Sequence, residues 1–224
     1  MRTRTLEIAT DRDTVDAKLA NAGSGPTGVL LAHGAGVGQD HEWMTTMRSL
    51  IASHGYPVMT FNYAYTAQGR KAPDRMPRLL EVHQAAADRL AAMVDVVVLA
   101  GKSMGSRVGA HLADQGGVEA AGLVHYGYPL VPMGRGEPRP TDHLERLPMP
   151  QLFFAGTRDR LSPPVAIGDL IARLPAARLE VIEDADHSFR MPKRAPMTTE
   201  EALEQIAATT AAWIGSFGQP AGGR

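Results

Sequence analysis

Leu99-Ala100-Gly101-Lys102-Ser103-Met104-Gly105-Ser106-Arg107 is the stretch whose reading decides the fold. It is preceded by Val96-Val97-Val98, which with Leu99 forms an apolar, β-branched run expected to be a strand buried on both faces. A helical pattern follows from Ser106 to Ala113. Between strand and helix stands Gly101-x-Ser103-x-Gly105. A serine on so sharp a turn is held in a strained conformation, and its flanking residues must be small for the turn to close. Its hydroxyl then projects above the end of the sheet, over the first N–H groups of the helix, where developing negative charge is stabilised. That is a setting for a nucleophile. The alternative is a glycine-flanked turn that merely contains serine.

Outward from this stretch, strands and helices alternate. Thr5–Ala9 and Thr14–Ala20 flank Thr10-Asp11-Arg12-Asp13 and read as an antiparallel hairpin at a sheet edge. Gly28–Ala32 is a buried strand that runs into the glycine-rich loop His33–Gly38. A helix is expected over His41–His54, where Trp43, Met44, Met47, Leu50 and Ile51 recur at helical spacing. Val58–Asn62 is the next strand, Tyr63–Pro73 a polar loop, and Arg75–Met93 a helix whose regular start Pro77 delays. Gly122–Tyr126 is a strand. Gly127–Pro150 is irregular and proline-rich, with room for one short helix near Asp142–Leu147. Gln151–Ala155 is a strand leading to Gly156-Thr157-Arg158-Asp159. A helix over Val165–Leu174 follows Pro163-Pro164, and Arg178–Ile182 is the last strand. The long loop Glu183–Pro196 holds His187. Thr198 and Glu201 have capping-box spacing and start a final helix reaching Phe217. The expected domain is residues 1–217, with 218–224 as a disordered tail.

Such alternation implies an α/β fold: a mostly parallel sheet of about seven to eight strands with helices on both faces. Ligands in these sheets bind beyond the carboxyl ends of the strands, so the strand-to-helix loops carry the chemistry. Ser103 needs a base, and the base an orienting acid. Of eight histidines, His33, His125 and His187 fall at or just beyond strand ends. His187 lies in the loop after the last strand, in Asp184-Ala185-Asp186-His187-Ser188-Phe189, and is the favoured base. His33 precedes a glycine-rich turn and is assigned to shaping it. Asp159 follows a strand directly. Asp186 adjoins His187 and is poorly placed to accept a bond from its neighbour's ring, so Asp159 is preferred as the acid. An oxyanion would take the backbone N–H of Met104 and a second from Gly34-Ala35-Gly36, assigned to Ala35. Gly34, Gly36 and Gly38 give G-x-G-x-G, which is neither the dinucleotide fingerprint nor a P-loop.

His-Gly-Ala-Gly, Gly-Lys-Ser-Met-Gly, Gly-Thr-Arg-Asp and Asp-Ala-Asp-His-Ser-Phe, in this order, resemble the α/β-hydrolase superfamily from about Gly28 to Phe217. The short chain and Tyr128-Pro129-Leu130 resemble the small, lidless enzymes grouped near dienelactone hydrolases. Dienelactone hydrolase itself uses cysteine where this chain has Ser103, so lactone specificity does not carry over. The resemblance implies an α/β-hydrolase fold with a minimal lid. It also implies a serine hydrolase acting on small esters or thioesters through an acyl-enzyme. Ser103 would attack, His187 move the proton and Asp159 hold His187. Acyl transfer or perhydrolysis on the same three residues is one alternative, and a non-catalytic interaction module on this scaffold is another.

The bulk numbers agree with these readings. The net charge of −1 and the pI of about 6.7 do not suit nucleic-acid binding. The absence of cysteine removes disulfides, thiolate nucleophiles and cysteine-ligated metals. No cofactor or metal is expected, and Met191–Met197 holds no cluster of ligands. No apolar run reaches the ~18 residues of a membrane span and the N-terminus resembles no secretory signal, so a cytoplasmic protein is expected. A small-molecule ester is the expected partner, with no nucleic acid or membrane. Oligomeric state is not readable. With few apolar residues in Gly127–Pro150 to make a cover, the site is expected to be shallow. Gly34, Tyr63, Tyr126 and Tyr128 are assigned to substrate contact, Tyr63, Tyr65, Tyr126 or Tyr128 edging the mouth. Arg70, Lys71, Arg75, Arg135 and Arg139 are read as solvated loop charges, with attraction of acidic substrates as the alternative.

Overall fold

The computed structural model describes residues 3–21, 25–134 and 136–218. Its strands are β1 (Thr3–Ala9), β2 (Thr14–Ala20), β3 (Thr27–Ala32), β4 (Val58–Phe61), β5 (Val96–Lys102), β6 (Gly122–Tyr126), β7 (Gln151–Gly156) and β8 (Ala177–Ile182). They form one 8-stranded sheet in the order β1-β2-β4-β3-β5-β6-β7-β8. β1 and β2 pair antiparallel, as does β2 with β4; every pairing from β4 through β3 to β8 is parallel. The helices are α1 (Glu42–Ser53), α2 (Ala64–Ala67), α3 (Met76–Ala91), α4 (Met104–Asp114), α5 (Asp142–Glu145), α6 (Pro164–Ile171) and α7 (Thr199–Gly215).

The period of two along the central strands divides the core in two. Leu30, Leu99, Leu123 and Phe153 face one way, onto Val82, Ala86 and Leu90 of α3, Val108 and Leu112 of α4, and Ile167 and Leu170 of α6. Val29, Leu31, Val98, Val124, Leu152 and Phe154 face the other way, onto Trp43, Met47 and Ile51 of α1 and Leu203, Ile206 and Ile214 of α7. Strands covered on both faces need apolar residues at consecutive positions, hence the unbroken runs of β3, β5 and β7. The edge strand β1 alternates between exposed and buried residues instead.

The local signals act as expected at several ends. Thr198 and Glu201 close the capping box of α7. Pro77 occupies the first turn of α3, where no intrahelical N–H is needed, so the helix begins at Met76 without delay. Among its described residues, the proline-rich segment holds one short helix, α5. Tyr63–Pro73 is not a plain loop: it contains α2, and Tyr63 and Tyr65 are fully buried. α6 stops at Ile171, short of the expected Leu174. Residues 22–24, and 219–224 of the expected tail, lie outside the described residues. Among the described residues, no helix is long and apolar enough to cross a membrane.

The turn from β5 into α4 depends on two glycines. A Cβ on Gly101 would run into the backbone of Gly105 and Ser106, and one on Gly105 would lie 2.5 Å from the Ala32 carbonyl oxygen. Both obstacles are backbone, so neither can swing aside. Gly101→Ala is therefore expected to destabilise the protein by at least about 3 kcal/mol, the upper end of ordinary overpacking. Gly36→Ala meets no atom within 4 Å and bears only the cost of its φ of +76°. Thermal unfolding of the two variants checks the order; equal midpoints would contradict it.

Candidate active site

Ser103 sits between β5 and α4 with φ 51° and ψ −113°. This left-handed conformation is costly for a residue with a side chain. It is retained because both neighbours are fixed: the Ser103 N–H donates to the Tyr126 carbonyl at 3.0 Å, and the Ser103 carbonyl accepts from Ser106 at 3.1 Å. The half-buried hydroxyl meets His187, with Oγ 2.9 Å from Nε2. On the other side of the ring, Nδ1 lies 2.7 Å from Oδ2 of Asp159. Ser103, His187 and Asp159, drawn from loops after three different strands, thus form one hydrogen-bonded line.

Asp159 is buried. Its second oxygen, Oδ1, accepts the N–H groups of Leu161 (2.8 Å) and Ser162 (3.1 Å). Burial alone would raise its pKa, but the hydrogen bond and charge of His187, with these two N–H donors, more than offset that and hold it below the usual carboxylate value. Asp186 does not meet the ring. Its Oδ1 accepts from the N–H of Ser188 (2.8 Å) and of Arg190 (2.9 Å), folding the loop that presents His187. Gly127, at φ 65°, leaves the space: a Cβ there would lie 3.2 Å from the His187 ring and 3.3 Å from Asp159 Oδ2.

Gly34 packs against this turn, where an added Cβ would lie 3.7 Å from that of Ser103. Ala35 follows, exposed. Neither its N–H nor that of Met104, the first residue of α4, donates to another backbone group among the described residues. The loop is fastened by His33, whose Nδ1 lies 2.8 Å from the Gly34 carbonyl while Nε2 accepts the Tyr63 N–H at 3.2 Å. That pair of contacts specifies the neutral tautomer with hydrogen on Nδ1. Burial pushes the His33 pKa down to about 4, in keeping with a neutral ring.

A cavity of about 260 Å³ opens over Ser103 and His187, lined by Gly34, Ala35, Trp43, Met44, Leu161 and Met133 among others. The tyrosines assigned to its edge do not reach it. Tyr63, Tyr126 and Tyr128 are fully buried, and their hydroxyls meet His83 Nδ1 (3.0 Å), Thr210 Oγ1 (3.0 Å) and His143 Nε2 (3.1 Å). Each phenol finds an interior partner, so the ring can serve as core. Of the assigned substrate contacts, only Gly34 lines the cavity. Arg70 pairs with Asp74, and none of Arg70, Lys71, Arg75 and Arg139 lines the cavity; Arg135 lies outside the described residues.

Among the described residues, one cation does line it. Lys102, only 7% exposed, donates from Nζ to the backbone carbonyl of His187 at 2.6 Å. The ammonium also lies 5.9 Å from the Trp43 ring centroid and 5.8 Å from that of Phe189. Burial drives its pKa down to about 8, against the opposing pull of Asp159 and Asp186. His41 was likewise not singled out. It caps α1 by accepting the Trp43 N–H on its ring and lines the cavity. A lone lysine ending an otherwise apolar strand was the available signal for the first; nothing in the sequence distinguished the second.

A model of the alpha/beta hydrolase domain matches residues 26–215. The chain belongs to that family. Solved structures with the same fold include a dienelactone hydrolase from Anabaena variabilis, 18% identical with a TM-score of 0.76, covering 96% of this chain and 97% of that one. A Xanthomonas campestris serine hydrolase described as having no lid is 17% identical with a TM-score of 0.73, over 99% and 97% of the two chains. Est1E from Butyrivibrio proteoclasticus is 13% identical with a TM-score of 0.74, over 95% and 98%.

The backbone at Ser103 predicts an inversion of the usual residue order. In an unstrained position alanine is more stable than glycine by about 0.5–1 kcal/mol. Both Ser103→Ala and Ser103→Gly remove the hydroxyl, but only glycine relieves the positive φ. Ser103→Gly is expected to be more stable than Ser103→Ala by about 1–2 kcal/mol in urea unfolding. A less stable glycine variant would show the turn to be unstrained.

Proposed function

We propose that this chain is a serine hydrolase cleaving small carboxylic esters or thioesters through an acyl-enzyme. The observation carrying the reading is the line Asp159 Oδ2, His187 Nδ1, His187 Nε2, Ser103 Oγ, with contacts of 2.7 and 2.9 Å. In this reading His187 takes the Ser103 proton as Oγ bonds to the substrate carbonyl carbon. The carbonyl oxygen becomes an oxyanion facing the N–H groups of Ala35 and Met104, backed by the positive end of α4. His187 then gives its proton to the leaving alcohol or thiol, whose bond to carbon breaks. Water repeats the sequence on the acyl-enzyme, restoring Ser103 and releasing the acid. Asp159 holds the ring in its tautomer and stabilises the imidazolium. Lys102 acts as a positioning residue, fastening the backbone of His187 to the strand that carries Ser103.

A fluorophosphonate probe tests the assignment. It should add once, on Ser103, and not to Ser103→Ala; intact mass and peptide mapping read the result, and an adduct elsewhere overturns it. Ser103→Ala should lower kcat by about 10⁶-fold, as the loss of a nucleophile does in a serine protease. Asp159→Asn should lower it by about 10⁴-fold. Asp186→Asn keeps an acceptor for its two N–H partners and should leave kcat nearly unchanged.

Cavity size sets the substrate range. At about 260 Å³ it is below the ~300–1,000 Å³ of pockets that enclose drug-sized ligands. Each methylene that finds apolar wall contributes ~0.8 kcal/mol. For p-nitrophenyl esters, kcat/KM should rise over the first few acyl carbons and then level or fall. A continued climb to long chains would reveal an apolar slot.

Lys102 gives a pH signature. Its ammonium is charged below about 8 and neutral above, so the hold on the His187 carbonyl weakens as pH rises. The expected profile has kcat/KM declining through pH 8 in the wild type. Lys102→Met should be less active at pH 7 and show no such decline. An unchanged alkaline limb in the variant would free Lys102 of this role.

A further inference from the structure

A second cavity, of about 340 Å³, runs along α4 from Arg107 to Asp114 and is bounded by that helix and the proline-rich segment. Arg107, Arg139, Arg146, His111 and His143 all face it. Arg107 is the unusual member. Its side chain is half-buried and makes no hydrogen bond or ion pair among the described residues. It stands in the first turn of α4, which contains no acidic residue, so its charge opposes the helix dipole. Arg139 lies close enough to repel it further; burial first, then Arg139, lowers the Arg107 pKa. A guanidinium so placed is disfavoured by solvation, by the helix and by its neighbour. An anion between the two arginines reverses all three effects.

The surrounding groups neither neutralise this charge nor leave the cavity slack. Asp114 is fully engaged by Arg146, which donates to both its oxygens at 2.8 and 2.6 Å. Asp142 is exposed at the rim. Arg139 is anchored by donating from Nε to the Pro129 carbonyl at 3.1 Å, which leaves its terminal nitrogens free to turn to a ligand. The wall is rigid: His111 and His143 stack with ring centroids 3.9 Å apart and planes 15° from parallel, and Tyr128 buttresses His143. Burial lowers both histidine pKa values, His143 to about 4, and the neighbouring arginines add to the effect. These rings are neutral donors or acceptors, and the charge resides on the arginines.

We propose that this cavity binds a small phosphate-bearing ligand, with Arg107 and Arg139 as its principal anchors. Planar guanidinium forks converging from two elements match the several oxygens of a phosphate better than the single plane of a carboxylate. The proposal is independent of the chemistry assigned to Ser103, whose cavity shares no lining residue with this one. Free inorganic phosphate and the phosphate of a phosphomonoester would be recognised by the same groups.

Calorimetric titration of the full chain, at ionic strength held constant with chloride, tests this. The probes are inorganic phosphate and glycerol 3-phosphate. At least one should bind saturably at one site per chain. Arg107→Gln should weaken binding at least tenfold, and Arg107→Lys should restore part of it. Lys71→Gln, an exposed cation elsewhere, should leave it unchanged. Tighter binding of the ester identifies a phosphorylated metabolite; equal or weaker binding identifies phosphate itself. Arg107 forms no bond whose loss would unfold the chain, and Arg139→Gln supplies an independent variant. The proposal is overturned if neither probe binds saturably, or if both glutamine variants bind as the wild type does.

Discussion

Everything at the site depends on how closely β3 and β5 bring their carboxyl ends together. Gly105 rests on the carbonyls of Ala32 and His33 with no room for a side chain, and Gly101 is pressed against the start of α4. These contacts hold the chain in a tight reversal, and Ser103 sits within it. Its positive φ is the consequence. Strain is tolerated there because β5 pairs on both sides, with β3 and β6, so the strand end cannot relax outward. The same contact brings the Gly34–Ala35 backbone beside Ser103, and neither the Ala35 nor the Met104 N–H donates to another backbone group among the described residues. The position of Ser103 and that of the Gly34–Ala35 backbone thus have one steric cause.

Two more strands complete the line. β7 and β8 pair in parallel up to Gly156 and Ile182, and a Cβ on Gly156 would collide with the backbone of Ala185. The loops after these strands are consequently packed together, and Asp159 and His187 face each other across them. Asp186 illustrates why adjacency in sequence is not partnership in space. Its carboxylate closes a turn on Ser188 and Arg190, and that turn points the next ring away from it. The carboxylate that meets the ring comes from another loop, at Asp159.

Much of this was legible from residue order. The buried strands announced themselves as unbroken apolar runs, and Gly-x-Ser-x-Gly as a turn that excludes side chains. The tyrosines were misread because sequence shows an amphipathic residue near a strand end and not which way it points. Tyr126 ends β6 with its ring toward α1 and α7, 5.4 Å from that of Trp43, and its hydroxyl bonds to Thr210, distant in sequence. Tyr63 packs edge-on against His33 and meets His83. Such pairings are long-range, and no local pattern encodes them. α2 was missed for the opposite reason: a single helical turn lacks the periodicity on which the reading relies.

The interior polar groups then explain why one histidine of eight stands apart. His33, His83 and His125 are fully buried, and burial depresses their pKa values to about 4, 3 and 3. They hydrogen-bond to backbone, phenol and amide partners, in which a fixed neutral tautomer is useful and a proton is costly. His187 differs in both respects. Its side chain is 26% exposed, and one nitrogen faces a buried carboxylate while the other faces a hydroxyl. The ring in that position bridges a buried carboxylate and a half-buried hydroxyl. Lys102 supplies the remaining constraint. Its ammonium holds the backbone carbonyl of His187 and not the ring, so it restrains the loop without competing for either imidazole nitrogen. Placed on the carbonyl, the cation leaves both ring nitrogens to Asp159 and Ser103.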